Sequence, residues 1–367
     1  MLIGQEYANK MIQHAVKRGR LAHAYLIHGQ KGTGKDAFAI SISKGLLCGG
    51  DAWSGGGCGS CIPCTQVAGL NHPDFHLILP VPTKPDKMKE DQYYSILRRQ
   101  ALARIENPYM PVSYTPDLTT APVISIDQVR SIKKIVMLKP ARGAKRIFII
   151  SNAEAMTDEA ANSLLKLLEE PPEQTYFFLT AESPAGLHQT IVSRCQLFHL
   201  KSLSAEQIKD ALIDRWSFEP GKADFLSKMA GGSLQKALLL ANESIEELRQ
   251  DALEFLTVII KGRHLSALDC IDRLVLQRDR ENMVEVLHFT ELILRDFFIL
   301  QQNYPNSVIQ TDQLDEIHQL VKISPGFKTE QALSHTAGAI DSIKKNAYLP
   351  LVLFSLSEEL RRCNENN

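Results

Sequence analysis

The stretch Ala24-Tyr25-Leu26-Ile27 followed by Gly29-Gln30-Lys31-Gly32-Thr33-Gly34-Lys35-Asp36 restricts the fold more than any other. A short apolar run leads into a glycine-rich turn. A helical pattern follows, with Phe38, Ile42 and Leu46 four apart on one face. Strand, loop and helix in this order are the context of a phosphate-binding loop. Its glycines let backbone N–H groups curl around phosphate, the helix start favours an anion, and the lysine reaches the terminal phosphates. The bland alternative is a glycine-rich turn with an incidental lysine. One residue later the pattern breaks. A working loop carries Ser or Thr after the lysine to ligate Mg²⁺, and this chain carries Asp36. Asp36 is larger than a hydroxyl and adds negative charge beside the phosphates, so nucleotide binding should be weak or lost.

The rest of the first two-thirds alternates strand-like and helix-like segments. Phe75–Leu79, Arg146–Ile150 and Tyr176–Leu179 read as strands. Within Arg146–Ile150, Ile147–Ile150 is a continuous apolar run of the kind found inside a parallel sheet. Ser125-Ile126-Asp127-Gln128 has capping-box spacing and predicts a helix to about Leu138. Thr157, with Asp158 and Glu159, opens another that Pro171-Pro172 stops. These segments predict an α/β domain with a parallel sheet over 1–200. An acidic pair expected at the end of the 147–150 strand would hold Mg²⁺ and activate water. The residues there are Ser151 and Asn152. Proline-rich residues 80–122, with a helical piece from about Lys87 to Glu106, read as a surface insertion. After Lys201 the signals are helical, over 205–216, 222–230, 233–261, 281–302, 312–322, 329–346 and 350–363. We expect a small helical lid over 201–245 and a helical bundle over 246–367. In the bundle Val286, Phe289, Ile293, Phe297 and Leu300 make one stripe.

Four of the seven cysteines, Cys48, Cys58, Cys61 and Cys64, cluster directly after the loop helix. Soft thiolates at tight spacing suit a closed tetrahedral Zn²⁺ site, hence a structural one, in a module spanning 48–64. An iron–sulfur cluster is a rival, but the x₃-Cys-Pro run of that motif is missing. A redox Cys61/Cys64 pair is another, and it leaves Cys48 and Cys58 unexplained.

Composition removes other classes. Lys+Arg is 41 against Asp+Glu 42, so the chain is not a strongly basic nucleic-acid binder. Residues 49–66 hold one aromatic, Trp53, and no Lys or Arg, so the cysteine module is a poor nucleic-acid reader. The start, Met1-Leu2-Ile3-Gly4-Gln5-Glu6, lacks the pattern of a signal peptide. No apolar run is long enough to span a membrane, and a cytoplasmic protein without membrane partners is expected.

Further motifs appear in a fixed order. They are Gly19-Arg20-Leu21-Ala22-His23-Ala24-Tyr25-Leu26, Asn71-His72-Pro73-Asp74 and Ser125-Ile126-Asp127-Gln128-Val129-Arg130. Ala161-Asn162-Ser163-Leu164-Leu165-Lys166, Leu168-Glu169-Glu170-Pro171-Pro172 and Ser193-Arg194-Cys195 follow. Together with the loop and the inserted cysteines, they resemble the clamp-loader branch of the AAA+ proteins, as in the bacterial DNA polymerase III holoenzyme. The motifs span about 20 to 200; beyond that the resemblance rests on layout. It implies a P-loop (AAA+) domain with an inserted zinc module, a helical lid and an all-α collar that joins subunits in a ring. It implies as partners ATPase subunits of the gamma/tau type, a delta-type subunit, a sliding clamp and primer–template DNA. By the same resemblance Arg194 is an arginine finger acting in trans on ATP/Mg²⁺ held by a neighbour. The family's sensor positions fall near Ser183 and Gln235. With Gly29, Gly32, Gly34 and Lys35 kept but Asp36, Ser151 and Asn152 altered, we expect a non-catalytic subunit without intrinsic ATPase. The alternatives are an ATP-hydrolysing gamma/tau-type motor and a zinc-dependent nucleic-acid module.

Overall fold

The run Arg146–Ile150 is buried at every position, and the sheet is built around it. The computed structural model describes residues 2–49, 56–110, 114, 118, 120–140, 145–241, 243–262 and 264–364. In order, the first part forms α1 (Glu6–Lys17), β1 (Ala24–His28), α2 (Lys35–Leu47), α3 (Ile62–Ala68), β2 (Phe75–Ile78), α4 (Glu90–Glu106), α5 (Ile126–Val136), β3 (Arg146–Ile150), α6 (Asp158–Glu169), β4 (Thr175–Ala181), α7 (Gln189–Val192) and β5 (Gln196–His199). The strands form one sheet in the order β2-β3-β4-β1-β5. Every pairing in it is parallel.

Alternation along β3 explains the layering. Phe148 and Ile150 join one core with Leu26, Phe177, Leu179 and residues of α5 and α6. Ile147 and Ile149 join the other with Ile27, Phe178 and residues of α1 and α2. Both faces are therefore covered, which is what an all-parallel sheet requires. Each fully buried Ile or Phe contributes about 1.5–3 kcal/mol. The expected caps form. Gln128 N–H donates to Ser125 Oγ at 3.5 Å while Ser125 N–H donates to Gln128 Oε1 at 2.9 Å. Ala160 N–H donates to Thr157 Oγ1 at 3.2 Å.

β5 is absent from the sequence reading. Among the described residues it pairs with β1 alone, and Gln196, Leu197 and His199 are exposed, so it lacks the apolar run of a central strand.

The remainder is helical: α8 (Ala205–Trp216), α9 (Pro220–Met229), α10 (Leu234–Leu240), α11 (Glu243–Ile260), α12 (His264–Gln277), α13 (Arg280–Gln301), α14 (Leu314–Ile323), α15 (Thr329–Lys344) and α16 (Leu349–Asn364). The helix expected over 233–261 is two, α10 and α11. The first ends at Leu240 and the second begins at Glu243. The chain divides into two compact units, Met1–Ile208 with Ala230–Lys236, and Lys209–Met229 with Ala237–Asn367. No described helix is long and apolar enough to cross a membrane.

The second unit is organised by α13. Met283, Val286, Leu287, Phe289, Ile293, Leu294, Phe297 and Leu300 are all buried, so the helix is covered nearly all round. Arg249, 1% exposed, supports this unit with a guanidinium 3.5 Å from the Phe225 ring centroid and two 3.0 Å hydrogen bonds to Asp312. Truncating one partner of a buried pair strands the other, at about 3–5 kcal/mol. Arg249→Ala should lower the urea midpoint of the helical unit accordingly. A midpoint within error of the parent would show that Asp312, which retains some solvent, is satisfied without Arg249.

Candidate functional site

The loop after β1 turns sharply into α2. Gly34, at φ 93°, is the residue immediately before the helix. Gly32, at φ 81°, lies so close to Ser233 that a Cβ would fall 2.1 Å from its Oγ. Leu234 N–H donates to Gly32 O at 3.1 Å, which pins the loop to residues 230–236 of the same unit. Lys35 does not point outward. Its Nζ donates to Gly29 O at 2.8 Å and to Gln30 O at 3.0 Å, so the ammonium is folded back on its own loop. Burial holds its pKa below the ordinary lysine range, opposed by Asp36, Glu182 and Glu154.

Asp36 is buried and fully engaged. Ser151 Oγ donates to its Oδ2 at 2.7 Å, and Thr180 Oγ1 donates to its Oδ1 at 2.8 Å. Arg104 Nε stands 3.3 Å from Oδ2 as an ion pair, and both side chains are under a tenth exposed. Arg104 belongs to α4, inside the segment expected to be a surface insertion. That expectation needs correcting for the end of α4 and the turn after it. Arg104 is 8% exposed and Tyr109 1% exposed, because they pack into the phosphate loop. Residues 111–113, 115–117 and 119 of the insertion lie outside the described residues, as do 50–55 of the cysteine module.

The cleft over the loop measures about 200 Å³ and is lined in part by Lys35, Asp36, Arg104, Tyr109, Asn152 and Gln235. Tyr109 lies flush with the loop; a Cβ on Gly34 would sit 2.8 Å from its Cε1. Tyr114 donates its hydroxyl to Pro80 O at 2.6 Å, and burial pushes its pKa up to about 12. Asn152, at φ 50°, donates its N–H to Thr180 Oγ1 at 3.1 Å. Glu154 is turned to Glu182 N–H at 3.1 Å. Ser183 accepts Ala185 N–H at 3.2 Å, so the hydroxyl that β4 sends into the site is that of Thr180. Sequence reading missed Thr180, Arg104 and Tyr109. Only the polar end of an otherwise apolar strand signalled Thr180, and nothing in local spacing signalled the other two.

Arg194 is not among the residues lining this cleft. It follows α7, and its Nη1 donates to Thr190 O at 2.8 Å. Its Nη2 lies 2.6 Å from Glu169 Oε1, with the arginine side chain 33% and the glutamate 47% exposed. The Ser-Arg-Cys and Leu-Glu-Glu-Pro-Pro motifs thus meet at one ion pair. Such a half-exposed pair is worth about 0–1 kcal/mol, so it orients the guanidinium without locking it. Cys195 beside it is held up at about 12 by burial.

Cys48, Cys58, Cys61 and Cys64 converge, with all four sulfurs within 4.8 Å of one another. None is in a disulfide. A tetrahedral site with arms of about 2.3 Å has edges of about 3.8 Å, and the Cys48–Cys61 sulfurs are 3.8 Å apart. Cys58 N–H points at Cys48 Sγ and Cys61 N–H at Cys58 Sγ, each at 3.4 Å, which suits thiolate acceptors. Backbone N–H groups of Ser60 and Cys61 draw the Cys58 pKa down to about 6, whereas burial raises Cys64 to about 12. Gly57, at φ 72°, leaves room where a Cβ would sit 2.7 Å from Cys64 Sγ. These residues fit a metal ion.

Comparison with known proteins adds the lineage. A family described as DNA polymerase III, delta subunit, matches residues 4–204. The DNA polymerase III subunit delta' of Bacillus subtilis (strain 168) is 27% identical over 354 residues, covering 96% of this chain and 93% of its own. Its counterpart from Pseudomonas aeruginosa is 31% identical over 249 residues, 66% of this chain and 63% of that one. The DNA polymerase III subunit tau of Escherichia coli (strain K12) is 28% identical over 249 residues, 66% of this chain but 32% of tau.

Proposed function

Because this chain belongs to the DNA polymerase III delta-subunit family and matches a delta' protein along nearly its whole length, we propose that it is a non-hydrolysing delta-prime-type subunit of a replication clamp loader. One observation carries the reading. Asp36 stands where the metal-binding hydroxyl of a working loop belongs, and its carboxylate is committed to Ser151, Thr180 and Arg104. Lys35, bonded to Gly29 and Gln30, must abandon two carbonyls to reach a phosphate.

In this reading residues 1–200 are a AAA+ domain, supported by their motifs and by the phosphate loop at the end of β1. Residues 201–245 act as a lid and 246–367 as the collar that joins gamma/tau-type and delta-type subunits into a ring. The assembled cytoplasmic ring opens a sliding clamp and places it on primer–template DNA. The chain's own chemical contribution is Arg194, offered in trans to ATP/Mg²⁺ on a neighbouring subunit. A guanidinium there stabilises charge on the transferring phosphoryl group through paired N–H donors. The four cysteines hold a structural Zn²⁺.

The competing reading is an ATP-hydrolysing gamma/tau-type motor, since the glycines and Lys35 remain. ATP turnover by the purified chain with Mg²⁺, clamp and primed DNA separates the two. We expect no turnover above a Lys35→Ala control. Turnover that Lys35→Ala abolishes would make this chain a motor.

A further inference from the structure

We propose that the arm from Glu90 to Met110 is an internal occupant of the phosphate-loop cleft, with the Arg104 guanidinium as its resident cation. The proposal rests on reading this cleft as a former nucleotide site.

In a working site the residue after the loop lysine and the residue closing the next core strand hold the metal between them. Here those residues are Asp36 and Ser151, and they touch each other at 2.7 Å. The positive charge beside them is Arg104, 3.3 Å from Asp36. A carboxylate buried this deeply needs a cation nearby, and the arm supplies one from within the chain.

Arg104 also closes the arm on itself. Its Nη1 donates to Pro108 O at 3.1 Å and to Met110 O at 2.8 Å. One guanidinium therefore ties α4, the turn after it and Asp36 together. The turn seats Tyr109 against Gly34, and the Tyr109 hydroxyl accepts Ile3 N–H at 2.9 Å. A Mg²⁺-nucleotide seated on this loop has to displace Arg104 from Asp36 and Tyr109 from Gly34. Arm and nucleotide are then mutually exclusive, and the loop keeps a rigid shape without ligand. This assigns a purpose to the charged, helical part of the insertion: it makes a site that once needed a ligand independent of one.

The test uses the full chain, Mg-ATP as probe and hydrogen exchange of the amides in 29–36 and 104–110. Wild-type protein should show no saturable Mg-ATP binding below about 1 mM, and Asp36→Thr with Arg104→Ala should bind at least about tenfold more tightly. Arg104→Ala alone should speed exchange in both segments together, by about tenfold or more. Where Arg104→Ala does not fold, Arg104→Lys, which keeps the charge but cannot bridge Pro108 and Met110, supplies the same measurement. Wild-type binding below that concentration overturns the proposal. So does exchange that stays unchanged in either segment when Arg104 is replaced. If the segments loosen together but the double variant still binds no nucleotide, the arm is upheld as the occupant and the loop has lost its ligand for a further reason. None of these readouts involves Arg194 or other subunits, so failure here leaves the clamp-loader reading to its own test.

Discussion

On the proposed trans role, Arg194→Ala should leave the chain folded and cut ATP hydrolysis in the reconstituted clamp loader, with a loss of about 10³-fold or more at the neighbouring site it would serve. Two magnitudes separate the effects. The side chain is one-third exposed and its ion pair with Glu169 is half-exposed, so folding loses at most about 1 kcal/mol. An arginine finger is worth about 10³–10⁵ in turnover. Thermal unfolding of the isolated variant should therefore match the parent, while single-turnover hydrolysis by the assembled complex should fall. Arg194→Lys refines the test. Lysine retains the charge but not the fork of parallel donors, so it should recover only part of the rate. Unchanged hydrolysis in a complex that still assembles would remove the trans role. The pairing with Glu169 adds a second expectation. Glu169→Gln should preserve assembly and change the rate far less than Arg194→Ala, because Arg194 keeps its bond to Thr190 O.

Much of the α/β part was legible in the sequence because burial on both sides of a parallel sheet leaves continuous apolar runs. Ile147–Ile150 and Tyr176–Leu179 are such runs, and both lie in interior strands of the sheet. β5 was not legible for the converse reason: as an edge strand it needs no apolar face, and Leu197 is 45% exposed. α12 was missed although Ala267, Cys270, Ile271 and Leu274 are buried at helical spacing. Two of these four are small. The larger Leu265 and Leu276 are 78% and 86% exposed and blur the stripe. The candidate site divides in the same way. The glycines, Lys35, Asp36 and the cysteines are local signals, since each motif is contiguous or nearly so. The partners of Asp36 are not. Arg104, Ser151 and Thr180 come from three separate elements, and only the fold brings them to one carboxylate. That Asp36 departs from the phosphate-loop pattern was readable at once; what the departure is for depends on residues far along the chain.

Metal removal is the other change with a large expected effect. Elemental analysis of the purified chain should find about one zinc per molecule, held by Cys48, Cys58, Cys61 and Cys64. Structural zinc contributes about 10–16 kcal/mol of binding free energy in zinc-finger peptides. That matches or exceeds the whole stability of an ordinary domain, about 5–15 kcal/mol. Beyond the sulfurs, the segment from Gly56 to Ala68 is anchored to the core by Val67. Among its described residues Cys64 and Val67 are buried, while Ile62 is 64% exposed. Chelation should therefore unfold this knuckle and α3. The sheet should survive, because Phe38, Ile42 and Leu46 anchor α2 in a core that does not depend on the sulfurs. Proteolysis after chelation should cut near residues 56–68 and spare β3 and β4. The cysteines should not respond equally to serine. Cys64 is 2% exposed, so Cys64→Ser removes a ligand and also buries a hydroxyl in a space shaped for sulfur. Cys58 is exposed, so Cys58→Ser costs the ligand and little packing. Both variants should lose zinc, with Cys64→Ser the less stable. Iron with sulfide, or a chain with no metal and an intact knuckle, would overturn the zinc assignment. Zinc loss with full resistance to proteolysis would show that the metal decorates the knuckle without holding it.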